Sequence, residues 1–151
     1  MASKPFPLTI LVAEDEPHDV FFIKRAFADA GLTTLIQVVK DGQEAIDYIS
    51  ASPPFENRRE HPLPDLLLLD LKMPRLNGFD VLTWLRKQPG LKRLPVVIFS
   101  SSTQYEDVNR AYDLGANSYL PKKAGSPELL KLVEQIDGYW CKLNQCPDCA
   151  P

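Results

Sequence analysis

In this 151-residue chain five residues each stand first or second among the polar residues after a run that reads as a strand, and their types together suggest phosphoryl chemistry. Glu14 and Asp15 follow Leu8-Thr9-Ile10-Leu11-Val12-Ala13. Asp70 ends Leu66-Leu67-Leu68-Leu69. Ser100 follows Val96-Val97-Ile98-Phe99, and Lys122 follows the short run at 117–120. Two unit charges about 4 Å apart at an effective dielectric near 20 repel by roughly 4 kcal/mol, so three carboxylates cannot share a site unaided. Mg²⁺ removes that repulsion and favours carboxylates, waters and phosphate oxygens. A cation and Lys122 would neutralise a transferring group, Asp70 would be the nucleophile, and the Ser100 hydroxyl would hydrogen-bond the phosphoryl oxygens. Taken singly, each residue also has an ordinary explanation. Asp15 or Glu16 would cap the helix that Pro17 opens, Ser100-Ser101-Ser102 would be loop, and Lys122-Lys123 a solvated pair.

What must position them is a set of buried parallel strands. An apolar run of four to six residues bounded by turn formers reads as a strand covered on both faces. Five such runs alternate with amphipathic stretches, the pattern of an α/β parallel sheet with helices on both sides. Strands are expected at 8–13, 35–39, 66–69, 96–99 and 117–120. Helix one opens at Pro17 and stops at Gly31. Asp41 caps helix two with Glu44 three residues on, Asn77 and Gly78 open helix three, and Thr103 with Glu106 forms a capping box for helix four, which ends at Gly115. Ser126-Pro127-Glu128 starts helix five with a cap, a first-turn proline and an acid at the positive end of the dipole. In such sheets ligands bind beyond the carboxyl ends of the strands, where all five polar residues fall.

The totals limit the alternatives. The length suits one domain, with a core at about 8–140, a loop at 52–64 and a tail at 141–151. Hydrophobic residues make up 44% and charged residues 25%, and the net charge is −3. That balance argues against a nucleic-acid binder, which needs a basic face. No run reaches the length of a membrane span, and the first residues lack a signal-peptide core. A cytoplasmic protein is the default expectation. The 52–64 loop, with four prolines and mixed charge, is expected to be disordered, with Arg58-Arg59 open to a partner. Cys141, Cys146 and Cys149 are expected as thiols in a frayed tail. The Cys146-Pro147-Asp148-Cys149 spacing leaves metal capture or an intermolecular bridge as alternatives.

The residues from Asp70 to Gly78, Asp-Leu-Lys-Met-Pro-Arg-Leu-Asn-Gly, resemble the phosphorylation loop of response-regulator receiver domains, the CheY-like family of two-component signalling. Residues 11–16 resemble its acidic pocket, 95–100 the strand that ends in its switch hydroxyl, and 115–122 its last strand and lysine. The likeness covers about residues 8–139. It implies a flavodoxin-like sheet of order 2-1-3-4-5 with five helices, and phosphoryl transfer from a histidine kinase to Asp70. It further implies Mg²⁺ held by Glu14, Asp15, Asp70 and the backbone carbonyl of Lys72, and a Ser100–Tyr119 switch pair. Phosphorylation and dephosphorylation would be self-catalysed and stoichiometric, not turnover.

The family usually has proline after the lysine, where Lys123 stands here. The long 52–64 loop resembles the single-domain branch that pairs with phytochrome-type kinases and forms homodimers. With only about ten residues after the last helix, the signal is expected to leave by protein contact, to a target or to a phosphotransfer protein. A pseudo-receiver that keeps the fold without phosphotransfer is the alternative. A haloacid-dehalogenase-type hydrolase would need an aspartate at Lys72.

Overall fold

The computed structural model describes residues 7–122 and 126–150. The expected Ser126 side-chain cap and the Lys123 departure lie outside the described residues and side chains. Five strands form one sheet: β1 Thr9–Ala13, β2 Leu35–Val39, β3 Leu66–Leu69, β4 Val96–Ser100 and β5 Ser118–Pro121. All neighbours are parallel and the order is β2-β1-β3-β4-β5, the order the family likeness implies. The connecting helices are α1 Pro17–Asp29, α2 Gly42–Ile49, α3 Gly78–Arg86, α4 Tyr105–Asp113 and α5 Ser126–Ile136. A π-helical segment, Asp137–Leu143, prolongs α5.

Strand alternation divides the core into two layers. Leu11, Ala13, Leu67, Leu69, Val96 and Ile98 point to the side of α2, α3 and α4. Ile10, Val12, Leu66, Leu68, Val97 and Phe99 point to the side of α1 and α5. Because β1, β3 and β4 are buried on both faces, their sequences are apolar but for Thr9 and Ser100 at strand ends and do not alternate. Their register brings Ala13 beside Leu69 and Leu69 beside Ile98. The residues that follow are thereby delivered to one edge.

Three segments depart from the sequence expectations. The 52–64 loop is packed, not disordered. Arg58 donates to the carbonyls of Tyr48 and Ile49 at 2.8 and 2.7 Å, satisfying acceptors that the end of α2 leaves open. The Tyr48 hydroxyl donates to the Pro62 carbonyl at 2.9 Å. The rings of Tyr48, Phe55 and His61 meet pairwise at 5.2–5.7 Å. The tail is not frayed either: Cys141 is buried, and Cys146 and Cys149 each pack on a core layer, with no disulfide formed. Finally, Thr103 does not cap α4. Gln104 occupies the cap without a side-chain bond, and the Ser102 hydroxyl oxygen accepts from the Gln104 amide at 3.4 Å.

Candidate functional site

Glu14 and Asp15 lie just past β1, and the hydrogen bond from the Asp70 amide to the Ala13 carbonyl (3.1 Å) sets Asp70 beside them. One oxygen from each of Glu14, Asp15 and Asp70 lies within 4.8 Å of the others. Glu14 and Asp70 are buried, while Asp15 is exposed and opens the cluster to solvent. Glu16, not Asp15, caps α1, its carboxylate accepting from the His18 amide at 3.5 Å. Asp15 is therefore left to the cluster.

Lys122, one residue past β5, completes the charge arrangement. Its amide donates to the Ser100 carbonyl at 2.8 Å. Its ammonium reaches Glu14 at 2.7 Å, Asp19 at 3.0 Å and Asp70 at 3.2 Å. Burial favours the neutral amine, but the surrounding carboxylates, Glu14 foremost, outweigh it and hold Lys122 protonated well above its ordinary range. For Glu14 the balance is opposite. Burial is the largest effect, and with the negative charge of Asp70 it pushes the carboxyl up to about 8 against the opposing bond from Lys122. A divalent cation would reverse that balance by favouring the ionised form. The donor set, three carboxylates with one open side, therefore fits a hard cation of the Mg²⁺ class.

The loop carrying Asp70 is held from below. The Lys72 amide points at Asp70 Oδ1 at 3.5 Å. Gly78 allows the start of α3 to press against the strand end: a Cβ there would stand 2.4 Å from the Asp70 carbonyl oxygen and 2.9 Å from Leu71 Cα. Arg75, in the left-handed region at φ 63, donates twice to Asp41 at 3.0 and 3.1 Å. Asp41 also caps α2 through the Glu44 amide at 2.8 Å. Partial burial works to raise the Asp41 carboxyl, but Arg75 and the amides of Glu44 and Gln43 outweigh it and hold it below the ordinary range.

Ser100 belongs to β4 itself and is fully buried. Its hydroxyl oxygen accepts from the Ser102 amide at 3.2 Å. Tyr119, half-buried on β5, donates its hydroxyl to the Ser102 carbonyl at 2.8 Å. The two expected switch residues thus meet through Ser102, whose own hydroxyl donates to Asp107 in α4.

Sequence reasoning missed Asp19. Its only signal is its place on the first turn of α1, four residues after Asp15. Arg75 lies inside the Asp70–Gly78 motif without a local partner to mark it, since Asp41, which fixes it, is 34 residues away in sequence.

A model of the family described as "Response regulator receiver domain" matches residues 10–134. The chain belongs to the response-regulator receiver family. Among curated relatives of this receiver domain, the probable methanogenesis regulatory protein FilR2 of Methanothrix harundinacea is 36% identical over 141 residues. The match spans 93% of this chain and 88% of that protein. Response regulator Rcp1 of Synechocystis is 31% identical, over 93% and 94%. Among solved structures, response regulator RPA3017, in red light signaling of R. palustris, superposes with a TM-score of 0.88 at 33% identity, covering 93% of this chain and 99% of that one. The phosphorylated cyanobacterial phytochrome response regulator RcpA gives 0.85 at 33%, with the same coverages. The Mn²⁺-bound form of Rcp1 gives 0.83 at 31%, again over 93% and 99%. Receiver domains are non-enzymatic phosphoacceptors that bind Mg²⁺ or Mn²⁺ at an acidic site and work with histidine kinases and with target or phosphotransfer proteins. Among the described residues, no helix is long and apolar enough to cross a membrane.

Proposed function

We propose that this receiver accepts a phosphoryl group on Asp70 from a phosphohistidine donor and signals by protein contact. The observation that carries the reading is the meeting of Glu14, Asp15 and Asp70 within 4.8 Å, with the Lys122 ammonium on two of the three. An Asp70 carboxylate oxygen attacks phosphorus, the phosphorus–nitrogen bond of the donor breaks, and an acyl phosphate forms at Asp70. Lys122, fixed by Glu14 and Asp19, stays charged and faces the oxygen on which negative charge gathers. Ser100 exchanges the Ser102 amide for a phosphoryl oxygen, and Tyr119, released with Ser102, follows. Mg²⁺, held by Glu14, Asp15, Asp70 and the Lys72 carbonyl, supplies charge neutralisation when bound. The likeness to the phytochrome response regulator RcpA and to RPA3017, of red light signaling, supports a phytochrome-type histidine kinase as donor; the homodimer stays an implication of the family resemblance.

Acetyl phosphate with Mg²⁺ tests this directly. Intact mass should rise by one phosphoryl group in the native protein and not in Asp70→Asn. A native protein that never gains the group under saturating donor would mark a pseudo-receiver.

A further inference from the structure

The Cys146-Pro147-Asp148-Cys149 segment serves no part of the site, yet it occupies a defined place. Helices of a parallel sheet run antiparallel to its strands, so α5 and its π-helical extension deliver the chain beneath the amino ends of the strands, the edge opposite Asp70. There the Asn144 amide donates to the Tyr139 carbonyl at 2.7 Å and the helix ends. Cys146 packs on the layer of α1 and α5. Three residues later Cys149 packs on the opposite layer, that of α2, α3 and α4. The Ala150 amide then donates to the carbonyl of Gly90, in the turn after α3, at 2.8 Å. The tail is a strap fastened to both layers, and each fastening is a partly exposed cysteine.

A disulfide needs its two Cα atoms about 4.4–6.8 Å apart with their Cβ atoms facing. Residues three positions apart meet that condition only if the two residues between them curl the chain, and Pro147 and Asp148 form no turn here. Side chains seated on opposite layers of a sheet must first release one seat. We propose that Cys146 and Cys149 are a dithiol modification site whose oxidation unfastens the strap. The oxidant is a small disulfide of the glutathione class. The Cys149 thiolate attacks one of its sulfurs, giving a mixed disulfide and expelling one thiolate. Cys146, deprotonated, attacks the Cys149 sulfur and expels the second. Two cysteine thiols are oxidised, one disulfide is reduced, and the two cysteine protons end on the two released thiols.

Exchanging the roles of Cys149 and Cys146 leaves the balance unchanged, and both are partly exposed. Cys141 takes no part: it is buried, and burial together with the charge of Asp137 pushes its thiol up to about 12.

The full chain, reduced and then equilibrated with oxidised glutathione, tests this. The intact mass should fall by two hydrogens with no glutathione retained, leaving a single thiol for alkylation in denaturant. The melting midpoint should fall by about 4 °C, and the Cys146→Ser/Cys149→Ser double variant should show neither change. Acetyl phosphate labelling of Asp70 should proceed equally in reduced and oxidised protein, which keeps this test independent of the phosphoacceptor reading. Retained glutathione without ring closure, cysteine-linked dimers, ring closure that leaves the midpoint unmoved, or zinc held by the reduced pair would each overturn the proposal.

Discussion

Glu14→Gln should stabilise the metal-free protein while abolishing its response to Mg²⁺. The sign follows from the carboxyl's position. Glu14 is 2% exposed and its folded-state pKa is raised from 4.5 to about 8. A carboxyl raised on folding binds its proton more tightly in the native state. Its penalty is therefore absent below pH 4.5 and grows as pH rises, levelling off above 8. At pH 7 the unfolded chain has ionised Glu14 freely, whereas in the native protein burial and the charge of Asp70 oppose that ionisation and the bond from Lys122 only partly offsets them. A carboxyl raised in that direction costs the native state on the order of a few kcal/mol at pH 7. Glutamine has the shape and neutrality of the protonated acid and carries none of that cost. Melts with a chelator present should place Glu14→Gln above the native protein at pH 7 by roughly 6–12 °C for that free energy in a domain of this size. At pH 5 the difference should shrink below about 1 kcal/mol. Adding Mg²⁺ should raise the midpoint of the native protein by mass action on the folded state and leave the variant nearly unmoved. Equal pH dependence in the two proteins, or equal gain from Mg²⁺, would refute the reasoning.

Gly78→Ala should cost about 1–3 kcal/mol through the forced contact with the Asp70 carbonyl and slow acetyl phosphate labelling, since the displaced atoms belong to the acceptor residue; urea titration and a labelling time course check both. Asp41→Asn keeps a good helix cap but loses the charge pair with Arg75. The native protein draws stability from the depressed Asp41 carboxyl above its ordinary value of 3.8 and loses it as pH falls through the lower folded value. The variant should therefore be less stable at pH 7 and show a shallower acid limb in a pH series of melts. Tyr48→Phe should cost about 1 kcal/mol, leaving the Pro62 carbonyl without its donor, and should speed proteolysis between residues 52 and 64. Tyr119→Phe should leave the fold intact, free the Ser102 carbonyl, and increase amide exchange at the start of α4.

The strands and their order of burial were legible because β1, β3 and β4 are covered on both faces, and such coverage demands unbroken apolar runs. Glu14, Asp15, Asp70 and Ser100 were legible for the same reason, each ending or following such a run, whereas Lys122 follows the half-buried β5 and was legible only from its place after a fifth strand. The register of parallel neighbours then carries them to one edge. Asp19 was not legible, because its meaning comes from how α1 lies on the sheet, and an acid in a first helical turn is ordinarily explained by the dipole. The 52–64 loop misled in the other direction. Proline and mixed charge mark irregular backbone correctly, but irregular backbone is ordered when a guanidinium such as that of Arg58 supplies donors to a helix end. The tail was misjudged on similar grounds, since nothing in its composition shows that Cys146 and Cys149 find seats on two different layers. At α4 the Thr103–Glu106 spacing satisfied a motif whose geometry the chain does not adopt.

The ammonium of Lys122 is shared by groups 108, 103 and 52 residues distant along the chain. A nascent polypeptide cannot build that junction until its last strand has emerged and docked. Before then Glu14 and Asp70 face each other without their counter-charge, a costly arrangement to bury. Chemical competence would thus be acquired late in folding, together with the final strand. Chains stalled or truncated before β5 would be silent, and not wrongly active, in the pathway they serve.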